Sequence, residues 1–175
     1  MKTTIYTIGH STRTIKEFIE ILIFYKIKIV VDIRTIAGSN YNPQYDSENL
    51  RKSLEEVKIE YIHIKALGGL RHTTNASENK AWENLSFRGY ADYMQTGEFT
   101  KGLNELIKIA NKKQTVIMCA EAVPWRCHRS LVGDALIIRG IQVEDIMKKE
   151  ILRPHKITSF AKVAGDKIYY PKLEE

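Results

Sequence analysis

Residues 119–130 read CAEAVPWRCHRS, a run that holds both cysteines of the chain beside one acid, two arginines and a histidine. Thiols, a carboxylate, an imidazole and guanidinium groups in so short a turn suit an active site, an anion cradle or a metal site; a busy loop is the plainer alternative. The run QTVIM leads into the turn as a strand, and LVGDALIIRG leads out as a helix. A helix beginning near Cys127 places that thiol where unsatisfied N–H groups and the helix dipole favour an anion. In strong cases such a setting lowers a thiol pKa to about 3.5–7.5. Cys127 is therefore the first candidate for a reactive thiolate, with a capping or packing role as its alternative. Cys119, at the end of a buried strand, is the second candidate, or a small core residue. Arg126 and Arg129 would hold an anion through charge-assisted hydrogen bonds, and His128 stands between them. Glu121 is a candidate general base, or the partner that fixes Arg126 or Arg129. Trp125, stiffened by Pro124, could stack on a ring or cover the core.

Other strand-like runs also end in chemistry. TTIYTI stops at Gly9, His10 and Ser11; IKIVVDI ends in Asp32 and Arg34; IEYIHI leads to Gly68, Gly69 and Arg71. His10 is a candidate proton carrier. Asp32 and Arg34 share one side of their strand, where the carboxylate could orient the guanidinium toward an anion. The double glycine permits close approach of a phosphate. In FRGYADYM, Arg88 stands among Phe87, Tyr90 and Tyr93, a mixture that suits nucleotides or single strands and equally suits a core helix. Cys119, Cys127, His128 and His10 do not match a zinc spacing, so neither a metal nor a cofactor is expected.

The positioning elements follow from periodicity. Thr14 precedes Glu17 by a capping-box spacing, and the apolar face from Ile15 to Ile23 predicts a helix over 14–25. Asp46 or Ser47 caps a second helix with the face Leu50, Leu54 and Val57, and Thr96 caps another with Phe99, Leu103 and Leu106. The long segment 65–96 is too long for a plain connection. IQVEDI predicts a fifth strand, and the tail carries one further strand-like run, KIYY. Alternating strands and helices predict an α/β fold: three layers, a mostly parallel central sheet of about five strands, and a short C-terminal extension. In such sheets ligands bind beyond the carboxyl ends of the strands, so all of these groups would meet at one edge.

The 175 residues predict a single domain over 1–175, and 43% apolar content is enough for a core. No apolar run can span a bilayer, and two cysteines are too few for a disulfide framework, which points to the cytoplasm. A net charge of +6 and a pI near 9.2 favour anionic partners, either a small substrate or nucleic acid. Walker A, G-x-G-x-x-G and G-x-S-x-G patterns do not occur.

YTIGHSTRTIKEFIEIL, VVDIRTIAGSNYNPQYD, LGGLR, FRGYADYM and CAEAVPWRCHRSLVGDALIIRG together resemble the domain-of-unknown-function 488 family in this order. Nearly the whole chain takes part in the likeness. Members often carry FPRSR where this chain has IAGSN over 36–40, so basic residues are missing from that loop. The resemblance implies an α/β protein whose site is made from these motifs, without supplying a reaction. The residues themselves point to an enzyme, a hydrolase or transferase using a thiol or acid–base groups, acting on a phosphate- or nucleotide-containing substrate. A nucleic-acid-binding or processing protein and a non-catalytic regulatory ligand binder remain as alternatives.

Overall fold

A computed structural model describes residues 2–173. The β-branched runs form β1 (Thr4–Gly9), β2 (Ile29–Asp32), β3 (Glu60–His63), β4 (Thr115–Cys119) and β5 (Gln142–Lys148). The helices are α1 (Ile15–Phe24), α2 (Ser47–Glu56), α3 (Leu85–Tyr93), α4 (Gly97–Ala110) and α5 (Arg129–Ile137). Thr14 caps α1 as its spacing to Glu17 predicts, its hydroxyl accepting from the Glu17 N–H. Thr96 caps α4 in the same way through Phe99 N–H. The long segment 65–96 is partly helical, through α3 and a short turn at Lys65–Leu67.

The strands β3, β2, β4, β1 and β5 lie side by side in that order, all parallel. The tail adds a sixth, antiparallel strand, β6 (Ile151–Pro154), and a separate hairpin of β7 (Lys162–Ala164) and β8 (Lys167–Tyr169). The expected five-strand count misses β6 because that edge strand is exposed throughout and has no alternating pattern to read. Successive residues along the central strands face opposite layers. Val30, Val116 and Met118 pack with Phe18 and Leu22 of α1 and Leu50 and Leu54 of α2. Ile29, Val31, Ile117 and Cys119 pack on the other face with Tyr90 of α3, Leu103 of α4 and Leu131 of α5. The fold is thus a three-layer α/β sandwich.

Two features of the topology matter for function. First, the chain leaves β1 through α1 toward β2 and leaves β4 through α5 toward β5, in opposite directions and over opposite faces. The loops after these adjacent strands therefore diverge and open a crevice between them. Second, the tail does more than extend the fold. α5 is buried along almost its whole length, between the sheet and the returning tail. Its Asp134 is fully buried and accepts from His155, from the Thr158 N–H and from the Tyr170 hydroxyl. The His155 ring also reaches Asp145 of β5, whose carboxylate accepts from Thr7 of β1.

Burial opposes a charge on His155, but Asp134 and Asp145 outweigh it and raise its pKa to about 9. Burial likewise opposes ionisation of Asp145, and His155 and Thr7 outweigh it, leaving its pKa below the usual carboxylate range. The histidine's contribution to stability is complete below its unfolded value of about 6.5 and is lost as pH rises through about 9. The Asp145 contribution is present above its unfolded value and is lost as pH falls through its lower folded value. Urea midpoints measured across pH should therefore decline between about pH 6.5 and 9, and His155→Gln should remove that decline. The same variant should cost roughly 3–5 kcal/mol near neutrality, because it leaves two buried carboxylates without their cation.

Candidate functional site

At the carboxyl edge, Gly9 pairs with Cys119 and Asp32 pairs with Met118, so the loops after β1, β2 and β4 begin level with one another. They enclose a cleft of about 810 Å³. Its walls include His10, Ser11, Arg34, Gly69, Cys119, Glu121, Arg126, Cys127 and His128, brought together from four separate loops. The backbones close tightly: His10 N–H donates to Cys119 O and Ser11 N–H to Ala120 O. A Cβ on Gly9 would fall 1.6 Å from Glu121 O, so no other residue allows this approach. Ser11 takes a left-handed conformation, φ 48°, at the floor of the crevice.

The electrostatics reverse the expected ranking of the cysteines. Cys127 precedes α5, but it does not stand as an activated thiolate. Its sulfur accepts the Arg129 N–H at 3.4 Å. Burial raises its pKa well above the ordinary value, and the neighbouring Cys119 raises it further. Cys119 has the opposite balance. Burial pushes its pKa up, but the Cys127 thiol, the Arg129 guanidinium and the backbone at Glu121 together bring it below the ordinary value. Both thiols are free, buried and part of the cleft wall. Of the two thiols, Cys119 is thus the one whose ionised form its surroundings favour.

Arg129 is one contributor to that balance. It is fully buried, its guanidinium donating to Thr7 Oγ1 at 3.1 Å and to Glu121 O and Ala122 O at 3.1 and 3.4 Å. It has no ion-pair contact with a carboxylate among the described residues, and its Nε has no acceptor. It therefore shapes the 119–122 turn from beneath and does not reach into the cleft.

The β2 end is equally built. Asp32 is fully buried and bidentate on Arg34, taking Nε at 2.9 Å and Nη2 at 2.7 Å, and it accepts from the Tyr61 hydroxyl. Asp32 thus holds Arg34 and does not itself line the cleft. Arg34 Nη1 is left facing His10 Nε2 at 3.4 Å. His10 Nδ1 must carry the proton, because Ser11 O, at 2.8 Å, can only accept. Burial, with Arg34 adding to it, lowers the His10 pKa against the opposing pull of the Ser11 carbonyl and Asp32. The ring also stacks on Tyr45 at 4.2 Å. His128 is fixed the same way: Nε2–H donates to Ile33 O at 2.9 Å, and Nδ1 faces Cys127 Sγ at 3.4 Å. Burial lowers its pKa to about 4.

Several expected site residues lie elsewhere. Gly68 serves packing, with Thr35 against it. Arg71 lies over the Tyr93 ring at 3.6 Å and binds Gly68 O. Arg88 donates to Trp82 O and Lys80 O, which closes a loop of its own chain. Tyr90 is fully buried and donates to Leu67 O, so it has no open face for stacking. Trp125 is 54% exposed but belongs to a different surface, beneath Arg153. Of the aromatics around Arg88, Phe87 does line the cleft, and Thr35, Ser39, Tyr41 and Asn42 line it without a sequence signal of their own. They carry no reactive group, and only the return of their loops brings them near. Among the described residues there is no cluster able to hold a metal ion, and no helix is long and apolar enough to cross a membrane.

A family model described as "Domain of unknown function DUF488" matches residues 14–136. The chain belongs to that family. The matched region takes in the turn 119–130, Asp32, Arg34 and the double glycine, and it stops before Asp145, His155 and Tyr170, whose strand and tail hold α5 from behind. No curated protein and no solved structure matches the chain. For this DUF488 chain the thiol order has a direct readout. Iodoacetamide alkylation followed by peptide mass should label Cys119 first, with a pH inflection below the ordinary thiol value. Cys127→Ala should move that inflection upward, since it removes the partner that favours the Cys119 anion; an unchanged inflection would contradict the assignment.

Proposed function

We propose that this protein is a thiol-dependent enzyme, a transferase or hydrolase, acting on a small anionic substrate, with Cys119 as nucleophile. The supporting observation is the cleft itself: one thiol whose anionic form is favoured by the neighbouring Cys127 thiol and a buried arginine, in a crevice whose wall carries further cationic side chains. In this reading the Cys119 sulfur attacks an electrophilic carbon or phosphorus, the bond to the leaving group breaks and that group takes a proton from solvent; the second acceptor then displaces Cys119 as its thiolate. Arg126, exposed at the mouth, and the second N–H of Arg34 Nη1, whose first faces His10 Nε2, hold the substrate anion. His10 and Asp32 are positioning residues that fix the Arg34 guanidinium. Glu121, also exposed at the mouth, is the proton carrier that activates the second acceptor, water or an alcohol.

The test is a panel of anionic acyl, thio- and phosphate esters, read both as turnover and as a covalent adduct on Cys119. With the substrate so found, Cys119→Ser should lower kcat by about 10³-fold or more. Arg126→Ala should reduce kcat/KM by roughly tenfold or more, the order of one lost charge-assisted contact. Neutral analogues should show no such dependence on Arg126. A panel that yields no adduct and no turnover, or adducts on Cys127 alone, would overturn the reading.

A further inference from the structure

The nucleophile proposed above has a second thiol as its immediate neighbour, and the two occupy unlike states. Cys119 and Cys127 are both unpaired and both face the same cleft. Their sulfurs act directly on each other's ionisation, in opposite senses. A base stands beside the protonated member: His128 Nδ1 is 3.4 Å from Cys127 Sγ, and its lone pair is directed by the Nε2–H bond to Ile33 O. Gly69 leaves room for this ring, since a Cβ there would lie 2.6 Å from Nδ1. A capping or packing cysteine needs none of these features. Together they make an attacking thiol, a resolving thiol and a proton acceptor.

We propose that Cys119 and Cys127 form a dithiol–disulfide couple that reduces small hydroperoxides, with Cys119 as the attacked sulfur and Cys127, aided by His128, as the resolving thiol. The inference rests on the reading of Cys119 as nucleophile and adds a redox reaction at the same site. In the first step the Cys119 sulfur attacks one peroxide oxygen. The O–O bond breaks, and the departing hydroxide takes a proton from solvent and leaves as water, with Cys119 now a sulfenic acid. In the second step Cys127 passes its proton to His128 Nδ1, and its sulfur attacks Cys119 Sγ. The S–O bond breaks, and the departing hydroxide recovers the proton from His128 as a second water. Two thiols are oxidised to one disulfide, and one hydrogen peroxide is reduced to two waters. Burial holds the His128 pKa near 4, so the proton cannot rest there: it moves as the sulfur attacks and passes at once to the departing hydroxide. Because the product disulfide removes the Cys119 nucleophile, oxidation would also switch off the group-transfer reaction until an external thiol restores it.

The experiment treats the intact, reduced protein with hydrogen peroxide at neutral pH and follows free thiols, peptide-mapped disulfides and dimedone adducts. The wild type should lose both thiols and yield an internal Cys119–Cys127 link. Cys127→Ser should stop at a sulfenic acid that dimedone traps on Cys119. His128→Asn should form the sulfenic acid at the wild-type rate but close the disulfide about tenfold or more slowly, in line with loss of a general base. A wild-type protein that gives only links between molecules, or that accumulates sulfinic acid on Cys119 as fast as Cys127→Ser does, would sink the resolving role. The wild-type mapping requires no variant, so a misfolded mutant does not blur the result. If the internal disulfide forms but no anionic ester modifies Cys119, only the group-transfer reading fails. If Cys119 turns over esters but its sulfenic acid goes uncaptured, only this inference fails.

Discussion

Arg129 is fully buried, and a guanidinium removed from water must be met by acceptors within its reach. Here those acceptors are backbone carbonyls of the turn after β4 and a threonine of β1. Satisfying the arginine therefore dictates the path of the turn. The threonine hands the connection on to Asp145 of β5, Asp145 to His155, and His155 to Asp134 of the same helix that carries Arg129. A single polar chain thus runs through the layer behind the crevice and ties three strands or strand ends to α5 and the tail. In a low-dielectric interior each member depends on its neighbours being present, which makes the chain an all-or-none support for the turn.

The unequal ionisation of the two thiols follows in part from that support. The Cys127 thiol and the positive charge locked under the turn both lower the pKa of the cysteine at the end of β4, against its burial. The second cysteine's sulfur accepts the Arg129 N–H at the start of α5 and faces His128 Nδ1. On the other wall, Asp32 neutralises Arg34 while leaving one of its nitrogens free to face His10. The crevice consequently combines a buried, directed field with exposed charges at the mouth. That division suits chemistry at its floor and recognition at its rim.

Local sequence carries much of this. Periodicity and capping residues locate all five parallel strands and four of the five helices in detail, and the shared carboxyl edge follows once the strands are parallel. His10, Arg34, Glu121, Arg126 and both cysteines do meet in one cleft. Less legible is which groups point into it. Arg88 and Tyr90 read as a recognition motif, but α3 turns them toward its own loop and the core. Arg129 reads as an anion holder and proves to be a scaffold. Asp134 offered a signal that went unused: a carboxylate inside the apolar run LVGDALII has to find a buried partner.

By itself the sequence determined the layers, the order of elements and the edge at which the reactive residues gather, because these depend on side-chain periodicity and on residues near in the chain. Tertiary structure decided which cysteine becomes acidic, which arginines are free, and how the tail braces α5. Those outcomes turn on burial and on charges brought together from distant segments, His155 with Asp134 and Arg129 with Cys119. A pKa depends on desolvation and on the field at one point in space. The spacing within CAEAVPWRCHRS names the groups that can feel such a field, and only the packed sheet places its source beneath one of them.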